Sequence, residues 1–75
     1  MKGSEFLKKL KRLAASKGVS FGFRVGKGQG KGSHGTVYFG GQFTTLKDRK
    51  KDLGAGLLAQ MLKDLSVDKS DFHGA

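Results

Sequence analysis

The sequence predicts an α+β fold with the order helix, three antiparallel strands, helix. Three observations predict it. The first is an amphipathic run at the start, residues 4–17. The second is the alternation of residues 19–25, followed by two further strand-like segments, 33–39 and 42–46, joined at a Gly-Gly dipeptide. The third is a leucine-rich run at helical spacing near the end. Two helices laid on one face of a three-stranded sheet would leave the opposite face open.

In the first element, SEFLKKLKRLAASK, Phe6, Leu7, Leu10, Leu13 and Ala14 recur on one face. Lys8, Lys9, Lys11 and Arg12 fill the remainder. Ser4 is the expected N-cap, Glu5 suits the first turn, and Gly18 is a natural stop in the left-handed conformation. Residues 19–25, VSFGFRV, alternate: Val19, Phe21, Phe23 and Val25 on one side, Ser20, Gly22 and Arg24 on the other. That pattern predicts a half-buried strand. The segment GKGQGKG, residues 26–32, has no apolar residue and no period, so it is expected to be a flexible loop.

A second strand is expected over 33–39 and a third over 42–46, joined by a tight turn at Gly40-Gly41. If Val37 and Phe39 point inward, His34, Thr36 and Tyr38 point outward, and a two-residue turn sets Tyr38 opposite Phe43. Residues 47–52 form a charged connection. A helix is then expected over 52–65, with Leu53, Leu57, Leu58, Met61, Leu62 and Leu65 at helical spacing. Its early Gly54 and Gly56 each cost about 1 kcal/mol relative to alanine. A short turn over 68–72 precedes a tail expected to fray, so His73 is given no role.

At 75 residues the chain forms one domain with a thin core. It has no cysteine, so disulfides and thiolate zinc sites are excluded. Two histidines and six carboxylates leave little for a metal cage, and no cofactor is expected. No apolar run approaches the roughly 18 residues of a membrane span. The amino terminus lacks a signal peptide's unbroken apolar stretch. The expectation is a soluble, unsecreted, cytosolic protein without a membrane partner, monomeric on its own.

Charge is the strongest clue. Fifteen Lys and Arg against six Asp and Glu give +9. Such an excess repels itself in the compact state and serves to attract a polyanion, with nucleic acid the leading candidate. Lys27 and Lys31 bring charge to a glycine-rich segment whose backbone N–H groups can approach an anion closely. The segment fails the Walker A pattern. Gly30-Lys31-Gly32-Ser33-His34-Gly35 meets G-x-G-x-x-G only formally, because a strand follows where a helix is needed. Lys47, Arg49, Lys50 and Lys51 stand ahead of the second helix, where positive charge opposes the helix dipole, so phosphate contacts are their expected use.

His34 is the chemically sharpest residue. An ordinary imidazole titrates near pH ~6.5 and can take and return a proton. RNA scission needs a base for the ribose 2′-OH, an acid for the departing 5′-oxygen, and cations or amides for the phosphate. No metal is required. Asp48, Asp52 and Asp64 form no evident carboxylate pair, and no Ser–His–Asp arrangement can be argued.

Together these residues resemble the HicA family of toxins of bacterial toxin–antitoxin systems. The resemblance runs over residues 3–72, through SEFLKKLKR, GKGSHGTVYFGG, TTLKDRKKDLGAGLLAQMLKDL and SVDKSDF. It implies a fold similar to the double-stranded-RNA-binding domain and a metal-independent endoribonuclease cleaving mRNA in a bacterial cytoplasm. It also implies a HicB-type antitoxin as partner. The family's catalytic histidine falls on His34. Lys27, Lys31, Ser33, Lys47, Arg49, Lys50 and Lys51 are then expected to hold phosphate and RNA backbone. Many members carry a second histidine where this chain has Gly35, which leaves the proton donor unassigned. Many have a proline before the second helix where this chain has Lys47, so a looser connection is expected there. A non-catalytic RNA-binding module and an inert domain for an acidic protein partner remain open alternatives.

Overall fold

The computed structural model describes residues 1–25, 35–47 and 50–75. Its elements are α1 (Gly3–Lys17), β1 (Phe21–Val25), β2 (Gly35–Phe39), β3 (Gln42–Leu46), α2 (Ala55–Asp64) and α3 (Lys69–His73). The strands form one antiparallel sheet in the order β1-β2-β3. The molecule is therefore α+β, with a three-stranded sheet and helices.

The period-2 alternation decides which sheet face is covered. Val37 and Phe39 of β2 point inward with Thr44 and Leu46 of β3, and all four are buried. Val37, Phe39 and Leu46 join Phe6, Leu10, Leu13 and Ala14 of α1, Met61 and Leu62 of α2, and Phe72 of α3 in one apolar cluster. Burying each of the Val, Leu, Met and Phe side chains stabilises the fold by about 1.5–3 kcal/mol. Phe21 and Phe23 of β1 are half-buried against the same cluster. Val25, expected to share their environment, is 50 % exposed at the strand's end.

Two boundaries move for reasons that lie outside the local sequence. The first helix starts at Gly3, so Lys2 is its N-cap and Ser4, the expected cap, stands in the first turn. Residues 1–3 run antiparallel to residues 51–53, which fixes that start. Lys2 bridges Asp52, the Gly3 N–H donates to the Lys51 carbonyl at 3.2 Å, and the Leu53 N–H donates to the Met1 carbonyl at 2.7 Å. The terminal amino group also lies 3.5 Å from the Asp52 carboxylate. The same pairing holds residues 51–53 extended, so α2 begins at Ala55 rather than at 52. Leu53 is buried from this extended segment, whereas Leu57, on the helix, is 48 % exposed. The looser connection expected here is thus tied down at its Lys51–Leu53 end. The first strand also starts later than expected, at Phe21 rather than 19, because Val19 closes the α1 cap: its N–H donates to the Ala14 carbonyl at 3.0 Å.

The short turn expected over 68–72 forms as α3, and the residues after it, where fraying was expected, remain hydrogen-bonded: the Gly74 and Ala75 N–H groups donate to the Ser70 and Phe72 carbonyls at 3.0 and 3.2 Å. Asp68 caps α3 by accepting from the Ser70 N–H, and Phe72 is fully buried with its ring centroid 5.6 Å from that of Phe6. Lys9 sits 5.1 Å above the Phe72 ring, a cation–π contact, and Lys17 pairs with Asp71 at 3.0 Å. A polar clamp ties α2 to β3. The Thr44 hydroxyl donates to Asp64 Oδ2 at 2.9 Å, and Gln60 Nε2 donates to Oδ1 at 3.0 Å.

Both α1 and α2 end in Schellman motifs. After α1, the Gly18 and Val19 N–H groups donate to the Ala15 and Ala14 carbonyls, with Gly18 at φ 70°. After α2, the Ser66 and Val67 N–H groups donate to the Lys63 and Leu62 carbonyls, with Ser66 at φ 57°. A side chain in that region costs about 1–2 kcal/mol, partly offset because glycine loses more chain entropy on folding. Ser66→Gly is expected to stabilise the protein by about 0.5–1 kcal/mol. Urea unfolding checks this; a lowered midpoint would show that the serine side chain contributes more than the strain removes.

Candidate nucleic-acid interface

The sheet's register sets two faces with different chemistry. Inward rows carry the core. The outward positions are Gly22 and Arg24 on β1, Thr36 and Tyr38 on β2, and Phe43 and Thr45 on β3. Tyr38 pairs directly with Phe43, as the two-residue turn predicts, and the ring centroids are 6.5 Å apart. Gly40 makes that turn possible at φ 60°, and its N–H donates to the Ser20 carbonyl at 2.8 Å.

The segments on which the functional expectations fall attach to one end of the sheet. Val25, Gly35 and Leu46 form its last register row. The chain leaves Val25 into residues 26–34, re-enters at Gly35, and leaves Leu46 into Lys47. His34, Lys27, Lys31 and Ser33 fall within residues 26–34, and Arg49 within 48–49, all outside the described residues. Lys47, Lys50 and Lys51 are described, and all three are exposed. A further exposed basic row, Lys8, Lys11 and Arg12, lies on α1.

Gly35 has a packing reason that the sequence does not reveal. A Cβ there would stand 2.6 Å from two atoms of the Phe23 ring and 2.7 Å from the Arg24 carbonyl oxygen. The ring of Phe23 therefore lies over a position that only glycine fits. The residue after His34 is specified by the core side of the sheet, and a larger side chain there requires the β1–β2 pairing to shift.

Of the three carboxylates read as unpaired, Asp48 lies outside the described residues, and Asp52 and Asp64 hold the fold together. Asp64 serves the α2–β3 clamp and Asp52 the terminal bridge. Among the described residues no three His, Cys, Asp or Glu side chains cluster, and no helix is long and apolar enough to cross a membrane. Along the β3–α2 seam runs a shallow groove of about 480 Å³, lined by Phe43, Thr45, Leu57 and the Thr44–Asp64 clamp. No protein-family model, curated protein or solved structure matches the chain.

Because one clash is with a backbone oxygen, Gly35→Ala is expected to cost about 1–3 kcal/mol, the usual range for overpacking. The melting temperature should fall by at least about 4 °C for a domain this small. An unchanged melting curve would show that the strand end relaxes freely.

Proposed function

We propose that this chain is a metal-independent endoribonuclease of the HicA type, with a fold like the double-stranded-RNA-binding domain, acting on mRNA and held in check by a HicB-type antitoxin. The observation that carries the reading is the Gly32-Ser33-His34 step entering a strand, within a chain of net charge +9. The order of helix, three antiparallel strands and helix supports it, as does the covering of a single sheet face.

In this reading His34 is the general base or acid. As base it takes the proton of a ribose 2′-OH. The 2′-oxygen attacks the adjacent phosphorus, and the 5′-oxygen leaves after protonation, giving a 2′,3′-cyclic phosphate and a 5′-hydroxyl. Lys27, Lys31 and Ser33 hold the phosphate as its charge grows. Lys47, Arg49, Lys50 and Lys51 guide the RNA backbone, which makes binding steeply salt-dependent. The toxin acts in the bacterial cytoplasm and is monomeric without its antitoxin.

A second reading, a non-catalytic RNA-binding module on the same fold, is favoured by one observation. The position after His34, where many HicA proteins carry a second histidine, is Gly35, and the Phe23 ring leaves no room there for a side chain. The site then holds a single imidazole in that stretch.

One experiment separates the two. Labelled RNA incubated in EDTA should be cut by the wild type and left intact by His34→Ala, with both proteins giving the same circular dichroism. Uncut RNA with the wild type selects the binding module, and equal cutting by both removes His34 from the chemistry. If His34 is the base, the rate should fall as pH drops below about 6.5, because the protonated ring no longer accepts a proton. A flat profile between about pH 5 and 8 excludes that role.

A further inference from the structure

The outer face of the sheet carries two aromatic rings that the fold does not use for its core. Tyr38 and Phe43 remain 40 % and 64 % exposed. They stand directly opposite each other on β2 and β3, tilted by 43°. On the other flank of Tyr38 the register partner is Gly22. A Cβ on Gly22 would lie 3.8 Å from Tyr38 Cδ2, in ordinary contact, so nothing in the local packing demands glycine there. As glycine it adds no side chain beside the tyrosine ring. The neighbouring outward row is Arg24, Thr36 and Thr45: one long cation and two short hydroxyl side chains that do not overtop the rings.

We propose that this face binds single-stranded RNA by stacking unpaired bases on Tyr38 and Phe43, with Arg24 reaching a flanking phosphate. The proposal rests on the RNA reading above and extends it to a site and a substrate form. The chemistry of the patch narrows the occupant. A chain of net charge +9 attracts polyanions. Acidic peptides and polysaccharides satisfy the charge but offer no run of flat π-faces. Nucleic acid offers both. In a duplex the base faces are consumed by the stack, whereas unpaired bases present them to aromatic side chains. Two adjacent rings beside an arginine therefore suit successive unpaired bases and the phosphate between or beside them.

The protein carries a built-in reporter, because Tyr38 is its one tyrosine and it has no tryptophan. Fluorescence of the His34→Ala chain, titrated with oligouridylate and with an RNA duplex of equal length, should show quenching by the single strand and little by the duplex. In anisotropy with labelled oligouridylate, Tyr38→Ala and Phe43→Ala should each weaken binding at least roughly fivefold, the low end of one lost stacking contact. Gly22→Val, which keeps both rings but crowds Tyr38, should weaken it in the same direction. Arg24→Gln should reduce the salt dependence by about one phosphate contact. These positions face solvent, and unchanged melting curves confirm that folding is not the cause. Undiminished binding by both aromatic variants, with no quenching, overturns the stacking site while the nuclease reading stands. Failure of the wild type to bind any RNA overturns both. Quenching by an acidic protein but not by oligouridylate overturns the proposal in favour of a protein interface.

Discussion

Burial of one face of a short sheet is the constraint on which the molecule depends. Three strands of five residues each cannot form a core alone, and two main helices suffice to cover only one side. Val37 at the centre of β2 and Leu46 at the end of β3 are fully buried beneath them. Once those side chains point inward, the pleat sends Thr36, Tyr38, Phe43 and Thr45 outward without further choice. The covered face supplies stability. The uncovered one is left to carry surface chemistry, and the register decides which residues it presents.

The small core explains the attention given to its ends. A 75-residue chain has little margin, and two extra attachments protect it. Phe72 carries the tail onto α1 beside Phe6, and residues 1–3 pair with 51–53. The exposed Lys17–Asp71 ion pair adds little by comparison, since surface pairs contribute about 0–1 kcal/mol. Both attachments act against the self-repulsion of a strongly basic chain, which a protein needing only stability would not maintain.

Much of the fold was legible because its signals are local. The 3.6-residue period of Phe6, Leu10 and Leu13 and the period-2 alternation of β2 and β3 each report an environment within a few residues. So did the Gly40-Gly41 turn, which placed Tyr38 opposite Phe43. The candidate site was legible in its chemistry and not in its geometry. Charge and residue type single out His34 and the lysines, but their use depends on distances between chain segments far apart in sequence. Among the described residues, the row where Gly35 pairs with Leu46 marks the sheet end from which residues 26–34 and Lys47 depart.

By itself, then, the chain's pattern determined element types, the placing of Tyr38 opposite Phe43 and basic character, because periodicity, turn length and charge are properties of short stretches. Tertiary structure decided the rest. Leu53 is buried and Leu57 exposed although both fit one helical stripe, because pairing with the amino terminus holds residues 51–53 extended. Ser66 takes a left-handed conformation because the Schellman geometry after α2 requires it there. Gly35 is glycine because Phe23 from the adjacent strand packs over it. Each of these answers to a neighbour brought in by folding, and such contacts leave no periodic trace in the order of residues.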